Sequence, residues 1–310
     1  TMKPFLLRPV TKDYIWGGTK LKTEFNKFTL LERVAETWEI SVHRDGLSLD
    51  DDSGYPLIDY LDYHPYYLGT ACENGLPILA KLIDSQQALS IQVHPGEEYA
   101  QKYENDHGKT ESWFVVSAEP DSFIYFGVNG EYTREELENA IEDNTILDHL
   151  ELINVKAGDY VLIEAGTIHA IGPGLIICEV QQSSNVTYRL YDYDRTDKDG
   201  NKRPLHVKKA LDVAVRKPLE GAVGHVAGDR TETMIDCDLF TTEYFVANGY
   251  AESATDTTSF TGFIFLEGNG RITFNDKSYE YSKGDTFLVP AQEGTVQVTG
   301  TGKAIKIRVK

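Results

Sequence analysis

Short alternating runs of apolar and polar residues dominate this chain. In "ALSIQVHPGEEYA" (88–100), Leu89, Ile91 and Val93 alternate with Ser90, Gln92 and His94. Strict alternation reads as a half-buried strand that aims Gln92 and His94 at the same face. Similar runs recur in "PILAKLI", "ESWFVV", "FIYFGV", "DYVLIEA", "LIICEV", "TYRLYDY", "YFVANGY", "FIFLEGNGRITF", "TFLVPA" and "TVQVTG", with Gly, Asp and Asn between many of them. Many short strands punctuated by turn residues predict a mainly β chain, a sandwich or a barrel. Helical signals are fewer. "TREELENAIEDN" opens on Thr133 with Glu136 three residues later, a capping box, and Leu137, Ala140 and Ile141 follow at helical spacing. "HVKKALDVAV" (206–215) and "YPLIDYLDYHP" are two further predicted helices. The stretch from about 95 to 151 is expected to be a small helical insertion in the β framework.

Two segments resemble each other. "KAGDYVLIEAGTIHAI" (156–171) and "SKGDTFLVPAQEGTVQV" (282–298) share a Gly-Asp turn, an apolar strand and an x-Ala turn. Counting from the glycine, the same position holds His169 in the first copy and Thr295 in the second. The pattern resembles that of cupin barrels. It predicts two cupin-type (jelly-roll) β-barrels, one over residues 1–220 with a metal-type histidine and one over 221–310 without a metal. His225 is the only imidazole of the second part, too few donors for a closed shell.

Composition narrows the partners. The 310 residues carry a formal charge of −19, which excludes nucleic acid and anionic membrane, both of which need a basic footprint. No run of about 18 apolar residues is present, so no membrane span is expected. Cys72, Cys178 and Cys237 are scattered and odd in number, which argues against a disulfide framework. With no signal-peptide pattern at the start, a cytoplasmic location is expected. In so acidic a chain, a cation inside a polar cluster is informative, because only locally concentrated Lys and Arg hold an anion against the global field.

One such cluster is legible. In "GKTESWFVV", Lys109, Glu111 and Trp113 share a face by the period of two, and "AGTIHAIG" places His169 just past a tight turn. With Gln92 and His94, they supply two imidazoles, one carboxylate and one amide oxygen. That set suits a divalent transition metal, Zn²⁺ first. The segments "ILAKLIDSQQALSIQVHP", "GKTESW", "AGTIHAIG", "NVTYRLYDYDR", "YIWGGTKL" (14–21) and "ETWEIS" (36–41) resemble the type I phosphomannose isomerase family, closest to its short bacterial branch. The resemblance covers nearly the whole chain. It implies an aldose–ketose isomerase that interconverts mannose 6-phosphate and fructose 6-phosphate with one Zn²⁺ per chain. It puts the metal ligands on Gln92, His94, Glu111 and His169, the active-site arginine on Arg189, pocket lysines on Lys81 and Lys109, and a pocket acid on Glu179. Trp16 and Ser90 join Lys81 as expected substrate contacts. Longer family members carry "SDNVxRAGL" where this chain reads "SSNVTYRLYDYD", so Ser184 replaces their Asp, with Asp192 or Asp194 as candidate substitutes.

Such an isomerisation moves a proton between C1 and C2 through a cis-enediol. It needs a Lewis acid on the developing oxyanion, an acid/base that reaches both carbons, and cations for the phosphate. Glu179 and Lys109 are the acid/base candidates. Arg189 is better suited to stabilising charge, because a guanidinium does not act as an ordinary base. Two other classes compete: a cupin metal oxygenase, and a metal-bearing sugar-binding protein without turnover. Redox cupins typically present His-x-His, and the Gln-x-His found here suits Lewis-acid work better.

Overall fold

The structure, a computed structural model, describes residues 2–221 and 223–310. Four β-sheets stack as layers. A five-stranded sheet runs Leu150–Asn154, Phe123–Val128, His169–Ile171, Ile91–Val93, Tyr188–Tyr191 in spatial order. It faces a seven-stranded sheet, here the long sheet, ordered Gly224–His225, Asp159–Ile163, Glu111–Ala118, Leu175–Gln182, Ile78–Ser85, Glu36–Ile40, Val10–Lys12. A second seven-stranded sheet, centred on Lys303–Arg308 and Thr261–Glu267, and a four-stranded sheet of residues 249–300 make up the other sandwich.

Burial follows from this stacking. The long sheet is covered on both faces, so Ile78–Ser85 is buried at every position instead of alternating. Ile78, Ala80, Leu82, Phe114, Ile176, Cys178 and Val180 pack against Phe5, Leu7, Ile264, Leu288, Ile305 and Ile307 of the next sheet. On the opposite face, Ile83, Val115, Leu175 and Ile177 meet Ile124, Phe126 and Ile171 of the five-stranded sheet. Further along the same strands, that inner face turns polar, at Lys81, Glu111 and Glu179. One end of this sandwich is therefore a packed core and the other is a charged cleft.

The mainly β expectation holds, and all three predicted helices are present, at Leu57–Tyr63, Arg134–Glu142 and Val207–Val213. Two expectations need correcting, barrel closure and the division at 220. No strand pairs from one sheet of a sandwich to its facing sheet among the described residues, so the units are open sandwiches and not closed barrels. The stretch 95–151 contributes helices Glu97–Glu104 and Arg134–Glu142, together with Glu111–Ala118 and Phe123–Val128, which are interior strands of the two facing sheets. The chain also crosses the expected division at 220. Phe5–Arg8 pairs with Thr286–Val289 in the second sandwich, and Gly224–His225 pairs with Asp159–Tyr160 in the first.

The internal similarity has a structural counterpart. Gly158 and Gly284 both take left-handed backbone, at φ +94° and +99°. In each copy the following Asp accepts from the backbone N–H three residues earlier, Asp159 from Lys156 at 2.9 Å and Asp285 from Ser282 at 2.8 Å. The strand after each turn lies in an inner layer and the next strand in an outer one. Phe245, Phe263, Phe265, Phe274, Tyr281 and Phe287 fill the interior of the second sandwich.

Candidate active site

The cleft is built from two rows of side chains. On antiparallel neighbours, residues directly opposite each other point to the same face. In the five-stranded sheet Gln92 lies opposite both His169 and Arg189, giving the row His169–Gln92–Arg189. In the long sheet Glu179 lies opposite both Trp113 and Lys81, and Lys81 opposite Trp38, giving the row Trp113–Glu179–Lys81–Trp38. Between the rows is a cavity of about 320 Å³.

At one end His94, Glu111 and His169, all buried, bring one ligand-type atom each to within 4.8 Å of one another. His94 Nδ1 donates to the Val186 carbonyl and His169 Nδ1 to the Thr167 carbonyl, each at 2.8 Å. These bonds leave both Nε2 atoms as bare lone pairs, and they face Glu111, at 3.3 Å from Oε2 and 3.1 Å from Oε1. Glu111 Oε2 is buried with no aligned hydrogen bond. Two lone pairs and a carboxylate turned toward one point call for a cation. Burial, with the Lys109 ammonium as a second cause, lowers the His94 pKa to about 3, so the ring stays neutral as a ligand must. Glu111 is held well below its ordinary range: burial would raise it, but Lys109, His94 and His169 outweigh that. Gln92 Nε2 donates to Ser90 O and Oγ at 3.2 and 3.3 Å, which anchors the amide by its nitrogen and leaves its oxygen free.

Beside this group are the acid/base candidates. Lys109 Nζ lies 3.0 Å from Glu111 Oε2 and 3.2 Å from His94 Nε2. Trp113 Nε1 donates to both Glu111 Oε1 and Glu179 Oε2, at 3.1 and 2.8 Å, and so ties the metal-type carboxylate to the second acid. Burial, then the nearby Glu111 charge, pushes Glu179 up to about 7. Lys81 lies 3.4 Å from Glu36 and 3.7 Å from Glu179, over the Trp38 ring. Burial works to lower the Lys81 pKa, but Glu36, Glu179 and Glu111 together raise it.

Nine of the ten expected site residues line this one cavity: Trp16, Lys81, Ser90, Gln92, Lys109, Glu111, His169, Glu179 and Arg189. The tenth, His94, sits within the metal-type group. Sequence reasoning missed Tyr14, Glu36, Asn185, Thr187 and Arg203, which line it too. For Glu36 a signal existed, a charged residue inside the strand-like "ETWEIS"; for Arg203, in the loop "DGNKRPL", there was none.

The chain matches the family model described as the type I phosphomannose isomerase catalytic domain over residues 5–120, and that of the mannose-6-phosphate isomerase cupin domain over 229–309. It is 36% identical over 313 residues to mannose-6-phosphate isomerase ManA of Bacillus subtilis (strain 168), covering 98% of each chain. It belongs to the type I phosphomannose isomerase family. The crystal structure of a mannose 6-phosphate isomerase from Bacillus subtilis superposes with a TM-score of 0.89 at 34% identity, over 98% of this chain and 99% of that one. A more distant structure, that of a mannose 6-phosphate isomerase bound with zinc and yttrium, shares the fold at a TM-score of 0.76 and 16% identity, over 99% of each chain. In this chain the layers that carry His169, Gln92 and Glu111 form the first sandwich, and the cupin-domain match over 229–309 falls on the aromatic-filled second one.

Proposed function

We propose that this chain interconverts mannose 6-phosphate and fructose 6-phosphate, and that His94, His169, Glu111 and the Gln92 amide oxygen hold one Zn²⁺. The observation that carries the metal assignment is the pair of locked imidazoles whose free Nε2 lone pairs converge on Glu111. When bound, the ion supplies Lewis-acid stabilisation to the sugar's developing oxyanion. The remaining steps belong to side chains. Glu179, lifted to about 7 by burial, is poised to take a proton from C2 and return it at C1, or the reverse. Trp113 aims its carboxylate, and Lys81 keeps an ammonium beside it. Lys109 serves the sugar hydroxyls from the metal side of the cleft, and Arg189 offers N–H donors to the enediolate. Trp16 forms part of the cleft wall, and Ser90 fixes Gln92 at its edge.

The cleft carries Lys81, Lys109, Arg189 and Arg203 against Glu36, Glu111 and Glu179, a local cationic excess in a −19 chain. That balance favours a sugar phosphate over a neutral sugar. The free cysteines at 72, 178 and 237 suit a reducing cytoplasm. A coupled assay tests the reading. Mannose 6-phosphate is turned over, chelator abolishes turnover, Zn²⁺ restores it, and unphosphorylated mannose is a poor substrate. Metal binding without turnover would favour a sugar-binding protein, and oxygen consumption would favour an oxygenase.

A further inference from the structure

Away from the metal-type group, two arginines bond to one buried carboxylate and a third, Arg189, lies nearby. Arg203 donates through Nε to Asp192 Oδ2 at 2.8 Å and through Nη2 to Oδ1 at 2.7 Å, a bidentate fork. Arg195 donates through Nη2 to the same Oδ1 at 2.6 Å and through Nη1 to the Ala88 carbonyl at 2.5 Å, just before the Leu89–Gln92 stretch that lines the cleft. Arg189 and Arg203 both face the cleft. Arg203 has spent one edge on Asp192, and its Nη1 makes no hydrogen bond among the described residues. Arg189 gives Nη1 to the Pro204 carbonyl at 2.8 Å, while its Nε is buried with no partner. A buried donor without an acceptor is costly, so this edge of the cleft is short of acceptor oxygens.

The backbone is bent to bring this about. Tyr193 and Asp194, directly after Asp192, both take left-handed backbone at φ +58° and +56°, a conformation that non-glycine residues rarely adopt. Arg195 lies over the Tyr193 ring, 5.0 Å from its centre. Asp194 points away, 70% exposed and paired with Lys202. Of the two acids the sequence offered as replacements for the family's aspartate, only Asp192 bonds to a residue that lines the cleft, Arg203.

We propose that Asp192 is a positioning residue that holds Arg203 edge-on, so that Arg203 forms the seat for the substrate's phosphate while Arg189 stays with the enediolate. Two guanidiniums against one carboxylate leave a net positive charge for the phosphate. The guanidinium fork also fixes direction, which a lysine in the same place would not. Burial would raise Asp192, but Arg203 and Arg195 hold it below the ordinary carboxylate range, so the clamp persists through the neutral pH range. The inference rests on reading the site as that of a sugar-phosphate isomerase.

Asp192→Asn tests it, because the amide keeps the size but cannot accept the full fork. KM for mannose 6-phosphate and the inhibition constant of inorganic phosphate should each rise about tenfold or more, with kcat far less affected and metal content unchanged. Arg203→Ala should do the same, and the double variant should be little worse than Arg203→Ala alone. Asp192→Glu should recover part of the loss. Unchanged KM and phosphate inhibition with only a lower Tm would overturn the proposal and leave Asp192 a loop pin, as would losses that multiply in the double variant. If Asp192→Asn does not fold, Arg203→Lys is decisive: it keeps the charge and loses the fork, so unchanged constants there overturn the proposal as well. If the parent protein does not turn over mannose 6-phosphate, the functional reading fails separately. Calorimetric titration with inorganic phosphate then still tests the seat, through weaker binding by Asp192→Asn than by the parent.

Discussion

An imidazole that gives its Nδ1 proton to a backbone carbonyl has one lone pair left to use, and here two such rings aim it at one carboxylate. The Lys109 ammonium lies 3.0 Å from Glu111 and 3.2 Å from His94 but leaves the His169 lone pair against the carboxylate, so metal and site are expected to stand or fall together. His169→Ala should lose stoichiometric zinc by elemental analysis, and isomerase activity with it; full metal content in that variant would sink the ligand assignment. Glu179 leads to a different expectation. Its folded pKa of about 7 lies above the ordinary value of about 4.3 for glutamate. The charged form is thus disfavoured in the folded chain. The penalty is absent below about pH 4, grows as pH rises between the two values, and is complete above the folded one. Glu179→Gln should therefore abolish turnover while melting higher than the parent at pH 8 in chelated protein, with the gap closing toward pH 4. A lower Tm at pH 8 would mean that the carboxylate is stabilised in place and is no poised base. The residues of this site that were legible in the sequence are those that a period of two or a tight turn puts together within one segment, such as Lys109, Glu111 and Trp113. Arg203 was not, because its place in the cleft depends on contact between segments far apart in the chain; Glu36 offered a charge inside a strand-like run, but nothing local aimed it at the cleft.

Elements follow local rules more closely. Thr133 accepts from the Glu136 N–H, and Glu136 returns a bond to the Thr133 N–H, so the predicted capping box forms. The helix it opens packs Leu137, Ala140 and Ile141 on the outer face of the five-stranded sheet, whose inner face carries His169 and Gln92. Thr133→Ala should cost about 0.5–2 kcal/mol in denaturant unfolding. It should leave KM unchanged, because the cap lies on the far side of the sheet from the cleft; a raised KM would show that the helix positions the site. The two Gly-Asp turns were legible for a similar reason, since each is closed by its own Asp within four residues. Barrel closure was misread. Alternation shows that a strand has two unlike faces, but not whether its sheet curls shut or which sheet it enters. Strands buried on both faces, such as Ile78–Ser85, lose even the alternation.

On the scale of the whole molecule, the two sandwiches share a core and cannot be expected to unfold independently. The apolar contact between the two seven-stranded sheets is continuous from Phe5 and Leu7 through Ala80 and Leu82 to Ile305 and Ile307. A polar pin crosses the same junction. Buried Lys27 donates to Glu39 Oε1 at 2.6 Å and to the Gly284 carbonyl, and Thr286 from the second sandwich donates to the same Glu39 oxygen at 2.8 Å. Glu39 is fully buried, and its other oxygen has no partner. Its charge is thus compensated almost wholly by Lys27. Lys27→Met keeps the apolar stem and strands the carboxylate, which should cost about 3–5 kcal/mol. Because Glu39 belongs to the long sheet and Thr286 to its neighbour, the loss should lower one shared calorimetric transition, with no new early step. The double variant Lys27→Met/Glu39→Gln should recover much of the loss, since the stranded charge and not the missing bond dominates it. Two separated transitions in the parent, or a Lys27→Met variant that melts only its second sandwich early, would mean that the layers are joined by contact alone. In that case the cleft would keep its metal while the cupin-like half unfolded. The shared core predicts the reverse: metal is released only as the whole molecule melts.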